Sequence, residues 1–173
     1  MLAIEILERG AGQVIDELTI SLPDDGLITL LAAEVDAVDG ASVESVRTVD
    51  DARADPSLLA LTVAAEIAEA PAGERPALLC RGVHGLVEAD WTAVMGGGTI
   101  VESVGVPPDP AWLAAFGAGS GHLDADTGPT DLVSGRLEGS GLSVAAGRAE
   151  RPIHERERRR TGLLLRLADS LIG

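Results

Sequence analysis

Gly141–Gly173 reads GLSVAAGRAERPIHERERRRTGLLLRLADSLIG. Its opening, Leu142 to Ala146, is the short apolar run that a buried strand makes. Gly147 and Arg148 leave that strand, and Pro152-Ile153 lead into a helix that starts at His154 and runs to Leu171. Glu155 and Glu157 stand in its first turn, where the helix dipole favours carboxylates. Glu155 can meet Arg158 and Arg159, and Glu157 can meet Arg160, across one helical turn. Leu164, Leu167, Ala168 and Leu171 mark one apolar face. The basic stretch from Arg156 to Arg160 reads as a solvated helix face. Earlier elements are expected to pack in layers on this strand and helix.

Composition limits what those layers can be. The chain has 173 residues, 46 % of them hydrophobic, so it can bury a core. Only 2 % are aromatic, so that core must be Leu, Val, Ile and Ala. All 13 basic residues are arginine, which reads as the coding bias of a GC-rich genome. A net charge of −15 opposes binding to nucleic acid and to anionic membrane surfaces. The single Cys80 excludes an intramolecular disulfide. Residues 1–20 lack the pattern of a secretory signal, and no apolar run approaches the ~18 residues of a membrane span. A soluble cytoplasmic protein without cofactor or metal is expected.

Leu2 to Leu7 and Val14 to Leu22 read as two strands joined at Arg9 to Gly12, with Leu18, Ile20 and Leu22 on one apolar face. An Asp of Pro23-Asp24-Asp25 should cap a helix whose stripe is Leu27, Leu30, Leu31, Val35 and Val38, stopped by Gly40. Ala41 to Val49 is expected as a third strand through Val43, Val46 and Val49. This ββαβ order, with RGAGQVIDELTISLP and LLAAEVDAVDGASVESVR, resembles the second part of an ACT domain. The first strand and first helix of that family are missing, and with them its effector loop. The expectation is an intermolecular contact through residues 1–49, a homo-oligomer. Either another chain completes the half-domain, or the natural chain begins further upstream. Asp50 to Pro56 is polar and reads as the linker. The division expected is therefore 1–50, linker 51–55, and 56–173.

Asp55-Pro56 starts a helix to about Glu69, and Pro76 opens a second through Val87. Trp91 to Met95 and Thr99 to Val104 form a hairpin about Gly96-Gly97-Gly98, which is no phosphate loop because no Lys-Ser/Thr follows. A short helix spans Ala111 to Phe116, and Gly117 to Pro129 reads as a long loop, not a dinucleotide fingerprint. Thr130 to Glu138 and Leu142 to Gly147 make a second hairpin. This order of elements, closed by the R…RPI ending and the Leu-rich helix, resembles a GAF domain from about Asp55 onward. The fold expected is α+β: a truncated ACT-like segment, then a GAF-like antiparallel sheet with flanking helices.

The GAF resemblance implies a ligand pocket between the sheet and the loop-rich segment, here about 106–131. Trp112 and Phe116 share one helix face beside that segment. They read first as the core plug of an aromatic-poor domain. They read otherwise as the floor of an apolar pocket, with Trp91 near it and Ser103, His122 or Asp124 on its polar rim. Ligand-binding residues expected on that second reading are Trp91, Ser103, Trp112, Phe116 and His122. Cys80 and His84, one helical turn apart, are a conceivable nucleophile pair, more simply explained as packed core groups. One GAF subfamily reduces free methionine sulfoxide through several cysteines, and a single Cys80 cannot form the required disulfide. His84, His122 and His154 lack metal-ligand spacing. The first functional expectation is a non-catalytic regulatory or sensory protein for a small metabolite. The ACT resemblance implies an amino acid, and the GAF resemblance a cyclic nucleotide, heterocycle or other metabolite. A dimerising scaffold without ligand is the second expectation, and a Cys-dependent enzyme the third.

Overall fold

Alternating side chains over Leu2–Gly10 and Gln13–Ile20 build two antiparallel strands, β1 and β2, with Ile4 opposite Leu18 and Leu2 opposite Ile20. The computed structural model describes residues 2–10, 12–48, 55–120, 130–149 and 151–173. The chain is α+β and divides into two compact units, Met1–Arg53 and Ala54–Gly173.

In the first unit β1 and β2 are followed by α1, Leu27–Asp36. That helix is shorter than its apolar stripe predicts. Its N-cap is Gly26, and Asp24, two residues earlier, instead uses Oδ1 to accept the Gly26 N–H at 2.7 Å. The expected third strand does not form over residues 41–48; Val49 lies outside the described residues. Val43 and Val46 are three apart, not two, so they cannot share one face of a strand. Side chains hold this segment instead. The Val43 N–H donates to Asp36 Oδ1 at 2.7 Å, and Arg47 pairs with Glu17 at 2.7 Å. The apolar face expected on β2 is also corrected. Leu18 and Ile20 are exposed, and Ile15, Glu17 and Thr19 face the more covered side. From Gln13 to Thr48 no hydrophobic side chain of this unit is buried.

The second unit is built around four antiparallel strands. Asp55 opens α2, Pro56–Glu69, by accepting the N–H of Ser57 at 2.7 Å and of Leu58 at 3.3 Å. A 3-10 turn, Ala72–Glu74, leads into α3, Arg75–Leu86. β3, Trp91–Gly96, and β4, Thr99–Gly105, join through Gly97 and Gly98, whose φ of 59° and 82° is the left-handed pair that a two-residue hairpin turn requires. After α4, Pro110–Ser120, come β5, Leu132–Leu137, β6, Leu142–Gly147, and α5, Glu155–Ile172. The sheet order is β4-β3-β6-β5. The stretch 117–120, expected as loop, is helical. Ala114, Ala115 and Ala118 support the turn that Gly117 weakens.

One face of this sheet carries Thr92, Val94, Val133, Leu137, Val144 and Ala146 against α2, α3 and α5. There Val63, Ile67, Leu79, Val83, Leu164 and Ala168 complete the main core. Gly82 lets α2 and α3 touch, because a Cβ there would overlap Val63. Leu165, not the expected Leu167, faces inward on α5 and lies against Gly135.

The charged start of α5 is only partly the solvated face that its composition predicts. Glu157 and Arg160 are buried, whereas Arg156 and Arg159 are exposed. Glu157 turns in to Arg148, which is 4 % exposed and donates from Nη1 to Glu157 Oε1 (2.8 Å) and from Nη2 to Oε2 (2.7 Å). Arg148 also donates to the carbonyls of Val87 (2.6 Å), Arg151 (3.2 Å) and Pro152. His154 and Glu157 form a reciprocal cap at the helix start. Arg158 donates to the carbonyls of Thr130, Leu132 and Ile153. Among the described residues no buried side-chain nitrogen or oxygen lacks a partner.

Candidate functional site

The other face of the four-stranded sheet is different in kind. Strand alternation puts Trp91, Ala93 and Met95 of β3 on it, opposite Thr92 and Val94. Register brings Ser103 of β4 beside Ala93, Ala145 of β6 on its other side, and Ser134 of β5 beyond. The centre is therefore paved with small side chains. Trp91 closes one end: its ring lies on Gly147, where a Cβ would overlap both Trp91 and Leu132. Met95 and Ile100 close the other. Leu113 of α4 is buried against Ala93, Met95 and Ala145, forming a small second cluster.

The expected site residues distribute unevenly over this face. Trp91 is part of the second cluster, and Ser103 is an exposed neighbour of Ala93 on the same face. Trp112 and Phe116 stack on each other, ring centroids 5.4 Å apart and planes 2° from parallel. The reading of that pair as core plug is corrected: Trp112 is 45 % exposed, and the plug is its neighbour Leu113. His122 and Asp124 lie outside the described residues. Ala93, Met95, Ile100, Leu113 and Ala145 were missed. The alternation of TrpThrAlaValMet in β3 was the signal that could have found the first two.

Cys80 and His84 sit on the opposite, core-facing side of the sheet. The Cys80 thiol donates to the Thr92 carbonyl at 3.7 Å, and His84 Nδ1 lies 3.4 Å from Thr92 Oγ1. Burial, aided by the negative charge of Glu102, pushes the Cys80 thiol up to about 11. A thiol so held is protonated at neutral pH and is no activated nucleophile.

No protein-family model and no curated protein matches this chain. Its chemistry rests on its own geometry. Among the described residues no group of three or more His, Cys, Asp or Glu could hold a metal ion, and no helix is long and apolar enough to cross a membrane.

Proposed function

We propose that this chain is a non-catalytic regulatory protein that binds a small metabolite on the α4 side of its four-stranded sheet. One observation carries the reading. The two faces of the sheet are built for different neighbours: three helices fill one, while small residues pave the other beneath a single helix. Ala93 and Ala145 lie buried under Leu113, with Ser103 exposed and Ser134 half-buried at the edge and with Trp91 and Met95 at the ends; this is the mix of apolar and hydroxyl groups that a small-ligand seat uses, and a ligand would enter beside Leu113. The GAF-like order of elements supports a heterocycle, nucleotide or other small metabolite as ligand.

A thermal-shift screen with amino acids, nucleotides and common metabolites tests it. A ligand at ~100 times its Kd adds about 2.7 kcal/mol to stability. Ser103→Phe, which places a ring over the small-residue floor from an exposed position, should abolish the response and leave the unliganded melting temperature unchanged. A response that survives Ser103→Phe would put the ligand elsewhere. Silence across the library would count against the reading.

A second reading, association through residues 1–49, is favoured by the first unit itself. From Gln13 to Thr48 it buries no hydrophobic side chain, and Ile4 faces Leu18 in the open, so it offers apolar side chains for a partner to cover. Leu18→Glu should lower the mass of the assembly if this unit joins copies of the chain.

A further inference from the structure

At the turn that ends α3 the backbone works against its own side chain. Among the described residues Glu88 is the one non-glycine with a left-handed backbone, at φ 48°. The Ala89 N–H reaches back to the His84 carbonyl at 3.0 Å, past the C-cap Val87. That closure puts Glu88 at the position that helices most often give to glycine. A side chain there crowds the backbone, and a carboxylate there meets the negative end of the helix dipole. Glycine would avoid both.

The Glu88 carboxylate is set against a second loop. Its Oε2 accepts from Arg151 Nη2, in an ion pair between residues 63 apart in sequence. Two further contacts cross the same gap, between residues 87–90 ahead of β3 and residues 147–152 after β6. Arg148 donates to the Val87 carbonyl at 2.6 Å, and Asp90 Oδ2 accepts the Ala149 N–H at 2.8 Å. The contacts differ in kind. That of Arg148 is buried and anchored by Glu157. Glu88 and Arg151 keep 31 % and 21 % of their side-chain surface in solvent. Water and salt weaken an ion pair so placed, to about the size of the backbone strain that it opposes.

We propose that Glu88 and Arg151 form a salt-sensitive latch on the start of β3. Latched, the pair holds the α3–β3 turn against the segment after β6, and the Trp91 ring stays seated on Gly147. Released, Arg148 still grips Val87, while the Asp90–Ala149 end of the seam opens and Trp91 moves with it. Because strain and ion pair nearly balance, a small change in conditions shifts the population between the two states. The latch stands apart from the ligand reading and from residues 1–49, and each can fail alone.

Hydrogen exchange of the Ala149 amide in the full chain tests it, at ~10 mM and at ~1 M salt, where the Debye length falls from about 30 Å to about 3 Å. In the wild type this amide should exchange about threefold faster at high salt, the worth of a part-exposed pair, while the Val144 amide of β6 is unchanged. Glu88→Gln, which keeps the shape and removes the charge, should exchange at the faster rate in both. Exchange indifferent to salt in the wild type, or equal in wild type and Glu88→Gln at low salt, would overturn the latch. Glu88→Gly relieves the strain as it breaks the pair, so its stability to urea should match or exceed that of the wild type. A less stable Glu88→Gly would show that the pair outweighs the strain, and the balance would be refuted. In a Trp112→Phe background Trp91 is the sole indole. Glu88→Gln should then shift its emission to the red, and an unchanged emission would overturn the release of β3.

Discussion

Arg148 and Glu157 meet in a two-pronged ion pair out of solvent, and three carbonyl oxygens share the same guanidinium. The pair links the end of β6 to the start of α5 and, through Val87, to the end of α3. Removing one partner strands a buried charge, which costs about 3–5 kcal/mol. Arg148→Met should lose that much stability by urea denaturation. Arg148→Met/Glu157→Met should lose less than Arg148→Met alone, since no charge is then left unpaired. A double variant no more stable than the single one would contradict this account.

The crossing of α2 and α3 depends on a missing side chain. Gly82→Ala drives a methyl group into Val63 and should destabilise by about 1–3 kcal/mol, although alanine is the better helix former by about 1 kcal/mol. Val63→Ala in the same chain opens space, so the two changes should couple favourably in a double-mutant cycle. Additive losses would show that the helices separate rather than repack.

Cys80 makes the stability depend on alkaline pH. Its folded pKa lies above the unfolded value, so the folded state holds its proton longer. The contribution is full below about pH 9 and is lost as pH rises toward 11. Cys80→Ser should flatten that part of the stability curve. In the native protein, iodoacetamide should modify Cys80 far more slowly at pH 8 than in the urea-unfolded chain. Equal rates would place the thiol at the surface.

Asp55 acts at the start of α2 through the N–H groups of Ser57 and Leu58, which hold its carboxyl below the usual carboxylate range. Its contribution is therefore present above the ordinary carboxylate pKa and is lost as pH falls through the lowered one. Asp55→Ala should cost ~1 kcal/mol near neutral pH, and Asp55→Asn less, because the amide oxygen still caps. Guanidinium titrations of the three forms measure the difference.

Much of the second unit was legible because its signals are local. Asp55-Pro56, the Gly97-Gly98 turn and the apolar run of β6 each specify their element without help from distant residues. The start of α5 was not legible. Arg156 to Arg160 reads as a solvated stripe, and nothing nearby announces that Glu157 will turn inward to Arg148, nine residues upstream. The site face was half legible. Alternation in β3 separates Trp91, Ala93 and Met95 from Thr92 and Val94, but only the pairing of β3 with β4 and β6 brings Ser103 and Ala145 alongside. The missing third strand of the first unit shows the opposite failure. Valine content pointed to a strand over 41–49, while the spacing of those valines already opposed it.

The burial of Cys80 also makes the chain a convenient object for spectroscopy. As it is the sole cysteine and is enclosed in the core, the native surface offers no thiol to a maleimide dye. A cysteine introduced at Ser103, or at Leu61, would then be the single labelling position. A probe there would report on the sheet face or on α2, with the native thiol left silent.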